Sequence, residues 1–94
     1  MEQFLVTNVI DGDTFEVSKW KWNGNEGTRI RPAGYNAPEM NTSAGIAAKN
    51  KLEMLILGKY VVLGNAYKID RGRLVCEVYY GGRHLSDYFT EYKT

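Results

Sequence analysis

A single cysteine, Cys76, and a single histidine, His84, stand in the 94 residues. No internal disulfide can form, and the ligands for a structural zinc are missing. The thiol lies in Leu74-Val75-Cys76-Glu77-Val78, where a small buried side chain on a strand is expected. A cysteine nucleophile would need a histidine beside it, and His84 falls in a different predicted segment. Long apolar runs are absent too, since no stretch approaches the ~20 residues of a membrane-spanning helix, and no membrane partner is expected. The start, Met1-Glu2-Gln3-Phe4, lacks the basic and apolar regions of a secretory signal, so a cytoplasmic location is the default expectation. Repeats, low-complexity tracts and interdomain linkers are also missing, and the length suits one domain over residues 1–94. Excess charge is nearly absent: 12 Lys and Arg against 11 Asp and Glu leave a net charge of +1. Long-range attraction to polyanions is therefore weak, which excludes a general nucleic-acid coat. Phosphate binding has to come from local clustering, and Arg29 with Arg31, and Arg71 with Arg73, supply it.

What the chain does have is core material, at 44% hydrophobic and 13% aromatic residues. A small barrel can fold on that without disulfides, because closing the sheet leaves few edges exposed. Phe4–Ile10 is β-branched and apolar, and reads as a first strand. Asp11-Gly12-Asp13 interrupts it with turn chemistry. Thr14–Ser18 then alternates as a second strand continuing through Trp20 and Trp22, so the two form a hairpin. Asn23–Gly27 turns the chain again into a third strand, Thr28–Arg31, ended by Pro32. Beyond a loop at 34–38, Ala44, Ala48, Leu52, Leu55 and Ile56 fall at helical spacing. Asn41, Thr42 and Ser43 offer N-cap side chains, and Gly58 is placed to end this helix. Tyr60–Leu63 is a fourth strand, Asn65–Arg71 a polar connection, and Arg73–Tyr80 a fifth strand closed by Gly81-Gly82. The tail from His84 to Tyr92 is expected to form a short helix. Three strands, a helix and two strands is the order of a five-stranded OB-type barrel, a β-rich α+β fold.

Four pieces carry potential chemistry: Asp11-Gly12-Asp13-Thr14, Arg31, Asn36-Ala37-Pro38-Glu39 and Asp70-Arg71-Gly72-Arg73. Taken singly, each has a structural explanation as a turn, a surface arginine or a strand end. Taken together they match what phosphodiester hydrolysis requires. Charge develops on the phosphoryl oxygens and needs a cation or guanidinium groups, and an attacking water needs a base within reach. Asp13, with amide or carbonyl oxygens such as those of Asn36 and Ala37, suits a hard divalent ion. Arg31 and Arg73 can each grip phosphate through two parallel hydrogen bonds, and Glu39 is the candidate base.

In order and spacing these pieces resemble the staphylococcal nuclease (thermonuclease) family over nearly the whole chain, from Val6 to Leu85. Asp11-Gly12-Asp13-Thr14 is similar to the family's Asp-Gly-Asp-Thr. Arg31, Asn36 and Glu39 keep its offsets of five and eight residues, with Glu39 in a Pro-Glu pair. The helix and the Gly72-Arg73 turn follow in order. The resemblance implies an OB-type barrel with one main helix between the third and fourth strands, and calcium-dependent cleavage of DNA or RNA to 3′-phosphate and 5′-hydroxyl ends. It implies Asp13, Asn36 and the Ala37 carbonyl as Ca2+ ligands, with Asp11 behind them. Arg31 and Arg73 are implied on the phosphate, and Glu39 as the residue that positions or deprotonates water. Single-stranded or frayed nucleic acid is the expected partner of a monomer, and export is common in the family.

Two departures from the family pattern shape the expectations. Asn36 stands where the family usually has Asp, which removes one negative charge and predicts weaker calcium binding. The family's Asp-x-Tyr-Gly-Arg turn is Asp70-Arg71-Gly72-Arg73 here, so the contact of that Tyr with phosphate falls to Tyr67 or another aromatic, or is lost. Either Arg71 or Arg73 reaches the phosphate, and Arg73 is favoured because it directly follows Gly72 and opens a strand. The alternative is a barrel that has lost efficient catalysis and binds single strands by stacking on Trp20, Trp22, Tyr60 and Tyr67.

Overall fold

The computed structural model describes residues 2–94. The sequence alternates between strand-forming runs and glycine turns, and the turns set the meander. β1 (Gln3–Asp11) and β2 (Thr14–Trp22) pair antiparallel across Gly12 and Asp13. Asn23 and Gly24, at φ 50° and 78°, then form the tight two-residue connection to β3 (Asn25–Pro32). Both residues occupy the left-handed region that such hairpins demand, which is why an Asn-Gly pair sits there. β4 (Tyr60–Asp70) pairs antiparallel with β1 and with β5 (Arg73–Tyr80). A parallel pairing of β3 with β5, Ile30 opposite Leu74 and Pro32 opposite Cys76, closes the sheet. The result is a closed five-stranded barrel with one α-helix, in a strand order consistent with an OB-like barrel. A two-residue strand, β6 (Arg83–His84), pairs antiparallel with the end of β5, Tyr79 opposite His84 and Tyr80 opposite Arg83.

α1 (Ser43–Ile56) plugs the barrel with Gly45, Ala48, Leu52 and Ile56. Thr42 caps its N-terminus by accepting the Gly45 N–H at 3.0 Å. Gly58, at φ 76°, lies past its end and donates its N–H to the Val6 carbonyl, which fastens the helix to β1. The core meets under the helix: Phe15, Ile30, Leu52, Ile56, Cys76, Val78, Leu85 and Phe89 are fully buried. Each such aliphatic or aromatic side chain contributes about 1.5–3 kcal/mol of transfer free energy. The helix is too short and too polar to cross a membrane, and no other helix among the described residues does so.

Three expectations change. Ala44 faces outward and its neighbour Gly45 is buried in its place. The polar segment after Leu63 is strand, not connection. β4 continues to Asp70, with register shifts around Ala66, because its polar residues occupy the outer face of a sheet whose inner face is already filled. The tail forms no single helix but β6 and two 3₁₀ turns, Leu85–Tyr88 and Thr90–Tyr92, with Leu85 and Phe89 anchored in the core.

Candidate active-site cleft

Gly12 lets the β1–β2 turn lie flat against the rest of the molecule. A Cβ there would fall 2.7 Å from the Cβ atoms of both Ala37 and Ala48. That close approach brings Asp11 and Asp13 beside the loop that leaves β3. The Asp13 N–H donates to Asp11 Oδ1 at 3.1 Å, and Asp13 Oδ2 accepts the Ala37 N–H at 2.9 Å. One carboxylate thus ties the turn to the loop across 24 residues of sequence.

Arg31, near the end of β3, reaches over the same loop. Its Nη1 donates to the carbonyls of Pro32 at 2.9 Å and Tyr35 at 3.0 Å. Its Nη2 donates to Asn36 Oδ1 and stands 3.5 Å from Asp13 Oδ2. The guanidinium is therefore half-enclosed and held between the two residues named as metal ligands. Glu39 is placed by its backbone: its carbonyl accepts from the Thr42 hydroxyl at 2.7 Å and from the Thr42 N–H at 3.1 Å. Gly45 makes this possible, because a Cβ at that position would lie 1.9 Å from the Glu39 carbonyl oxygen. The Glu39 carboxylate is exposed, with no hydrogen bond or ion pair among the described residues.

The fourth piece comes from the β4–β5 hairpin. Arg71 and Gly72, at φ 54° and 77°, make a tight turn of the same kind as Asn23-Gly24. Arg73 is fixed by Asp70, Nη2 to Oδ2 at 2.9 Å, and by the Thr14 hydroxyl, which accepts from Nη1 at 3.1 Å. Arg71 sits exposed at the tip, and its guanidinium has no partner among the described residues.

Asp11, Asp13, Arg31, Asn36, Ala37, Glu39, Arg71 and Arg73 all line one cleft of about 450 Å³ at this end of the barrel. Tyr67 does not. It stands exposed on the outer face of β4 with its hydroxyl bonded to Glu77, and no aromatic residue replaces it in the cleft lining. A second hollow of about 310 Å³ shares Arg31 and Asn36 with the cleft and continues past Pro32 and Gly34 to Lys68 and Asp70.

No family model matches the chain, and no curated protein matches it. The site therefore rests on its own chemistry. Three guanidinium groups and three carboxylates face the cleft, so it has little net charge of its own. Asp13 is held above the ordinary carboxylate range, first by burial and then by its hydrogen bond with Asp11. The Ala37 N–H and the Arg31 charge act in the opposite sense and do not cancel this. A partly desolvated carboxylate that favours a proton, as Asp13 does beside Asp11, also favours a hard cation on the same oxygens.

The donor set, Asp11, Asp13 and the Asn36 amide oxygen, thus fits a calcium ion in kind. In number it is thin: no group of three or more His, Cys, Asp or Glu able to hold a metal occurs among the described residues. Ala37 presents its N–H to Asp13, and that is the backbone contact the structure gives it there. Arg31 already supplies one positive charge beside Asp13 and Asn36.

Sequence reasoning assigned no role to three residues that build this cleft. Tyr35, Thr14 and Gly45 each hold a named site residue in place. Thr14 stood in the Asp-Gly-Asp-Thr motif, and Gly45 left a signal as a glycine in the first turn of an otherwise good helix, whereas Tyr35 left none.

Proposed function

We propose that this chain is a phosphodiesterase of the staphylococcal nuclease type, hydrolysing DNA or RNA in a calcium-dependent reaction to 3′-phosphate and 5′-hydroxyl ends. The observation that carries this is the convergence of Asp13, Arg31, Glu39 and Arg73, from four separate segments, on one cleft at the end of a closed barrel. Structural ties account for Asp13, Arg31 and Arg73 one by one, but not for Glu39 beside them in the same cleft, exposed and unpartnered among the described residues.

The roles follow from chemistry. Asp13 and Asn36, with Asp11 behind them and the Ala37 carbonyl as a further oxygen, would hold the calcium ion, which when bound supplies a Lewis acid for a phosphoryl oxygen. Arg73, held by Asp70 and Thr14, presents a pre-oriented guanidinium to the charge that develops on phosphate. Arg31 keeps Nε–H in reserve while its other donors fix the loop. Exposed Glu39 is free to take a proton from water at the rim of the cleft. Arg71 adds an unpartnered positive charge where the strand would pass. The adjoining hollow gives a neighbouring sugar or base room beside Lys68.

One observation favours a weaker variant of this reading, a barrel that binds single strands with slow turnover. Arg31 is committed to Asn36 and Asp13, where an active site needs it on phosphate. Stacking on Trp20 is not part of that variant, because Trp20 is buried and donates its Nε1–H to the Arg29 carbonyl at 2.9 Å. Tyr60 and Tyr67 remain exposed for it.

A calcium titration of wild type and Asn36→Asp with a single-stranded oligonucleotide, followed by end-group analysis, tests the proposal. The added carboxylate is expected to lower the calcium needed for half-maximal rate by about tenfold. Binding without cleavage by both proteins at saturating calcium would select the binding module instead.

A further inference from the structure

The cleft is assembled from two segments, the acidic turn at 11–13 and the loop at 31–37, and a single buried residue joins them. Tyr35 is fully buried, and its hydroxyl donates to the Gly12 carbonyl at 2.8 Å, across 23 residues of sequence. Gly12 lies between Asp11 and Asp13, so this carbonyl belongs to the peptide unit that carries Asp13. The other end of that unit, the Asp13 N–H, is bonded to Asp11 Oδ1. A peptide unit is planar, and fixing both its ends fixes where Asp13 leaves it.

The same residue sets the other half of the cleft. The Tyr35 carbonyl accepts from Arg31, and the following N–H, of Asn36, donates to the Tyr92 carbonyl at 3.0 Å. The peptide unit before Asn36 is therefore also held at both ends. The ring that connects these two clamped units is stacked on Phe89, with centroids 4.6 Å apart and planes 2° from parallel. The Lys51 ammonium lies over the Phe89 ring, 4.7 Å from its centroid. The tail completes the seat by pairing Lys93 with Tyr35 and donating the Thr94 N–H to the Gly34 carbonyl.

A phenylalanine would fill this part of the core equally well, so the hydroxyl is what requires explanation. Burying a phenol stabilises the fold only if it finds a partner, and the partner here is the main chain of the acidic turn. Burial, with Asp13 next and Asp11 as well, pushes the phenol well above its usual range, so it stays a donor throughout the pH range of the protein.

We propose that Tyr35 is a positioning residue that sets Asp13 against Arg31 by tying the acidic turn to the Arg31–Asn36 loop, and that the tail after Leu85 acts on the cleft through it. The catalytic part of this inference rests on the nuclease reading. The geometric part does not.

Tyr35→Phe keeps the ring and its stack on Phe89 and removes only the hydroxyl. The test combines amide hydrogen exchange with kcat and KM for a single-stranded oligonucleotide in calcium. The Asp13 and Ala37 amides are expected to exchange about tenfold faster than in wild type, while core amides such as Val78 change little. The kcat value is expected to fall about tenfold, with KM within about twofold. Unchanged exchange at Asp13 and Ala37 overturns the proposal, as does exchange that rises equally throughout the barrel, which is the mark of a merely structural hydroxyl. If wild type cleaves nothing but the selective exchange response is present, the nuclease reading falls and the tie stands. Should Tyr35→Phe not fold, Phe89→Leu is read by the same two amides. Selective loosening there supports the tie, and unchanged exchange at both overturns it.

Discussion

Asp13 is where the site conflicts most with stability. Its carboxyl binds a proton more readily in the folded chain than in the unfolded one, because burial and then Asp11 outweigh the Ala37 N–H and Arg31. For a carboxyl raised in this way the sign is opposite to the usual case. Its contribution favours the fold at low pH and declines as pH rises from the ordinary aspartate value through the raised folded value. Unfolding of Asp13→Asn, followed from about pH 3 to pH 7, is expected to lose this downward slope, with the variant matching or exceeding wild type at neutral pH. A wild-type slope retained in the variant would assign the effect to another group. Calcium bound at the proposed site would relieve the same tension in a different way. At about ten times Kd it is expected to add about 1.4 kcal/mol to wild type, read as a rise in Tm of about 4–8 °C per kcal/mol, and to leave Asp13→Asn nearly unmoved. Cys76 is the quiet residue of the molecule, fully buried, with burial pushing its thiol up to about 12. Neutral thiol reagents are expected to leave it untouched until the barrel unfolds, and modification of the native protein would mean the strands around it open.

Among the elements, α1 carries the geometry of the cleft as well as the core, since Gly45 seats Glu39 and Ala48 packs against Gly12. Alanine for glycine inside a helix is ordinarily stabilising by about 0.5–1 kcal/mol. At Gly45 the sign reverses, because the new Cβ would collide with the Glu39 carbonyl. Gly45→Ala is expected to cost about 1–3 kcal/mol in chemical denaturation, by forcing the Pro38-Glu39 segment off the helix. A stabilised Gly45→Ala variant would show that Glu39 is not seated as described. The glycine turns, a helix capped from within 41–43 and ended at Gly58, and the pieces that meet in the cleft were legible in sequence, because Asp-Gly, Asn-Gly, Arg31 with its offsets to Asn36 and Glu39, and the 48/52/56 stripe each leave a local pattern, whereas the choice of Thr42 as the cap was left open. The length of β4 was not, since polar residues on the outer face of a closed barrel look the same in sequence as a loop. Tyr67 was expected in the site because an aromatic was missing from the β4–β5 turn. Its strand position turns it outward to Glu77 instead. The stack of Tyr35 on Phe89 was invisible for a different reason: it exists only once the tail has folded back over the loop after β3.

At the scale of the whole molecule, binding has to be local. Net charge is +1, and the cleft offers three arginines, two of them already paired with Asp13 and Asp70. Binding of single strands is therefore expected to depend weakly on salt, with a slope of log Kobs against log salt no steeper than about −2, as for two or three phosphate contacts. A slope several times steeper would require a basic surface elsewhere on the barrel. The most direct measurement of the site itself is the rate at which wild type and Glu39→Gln cleave a single-stranded oligonucleotide, in calcium and again with chelator, with both proteins checked for the same unfolding transition. The cleft as described predicts cleavage by wild type in calcium alone, a loss of about 10²–10⁴-fold in Glu39→Gln and none of that loss in stability. Equal cleavage by the two proteins, or cleavage indifferent to chelator, would contradict it.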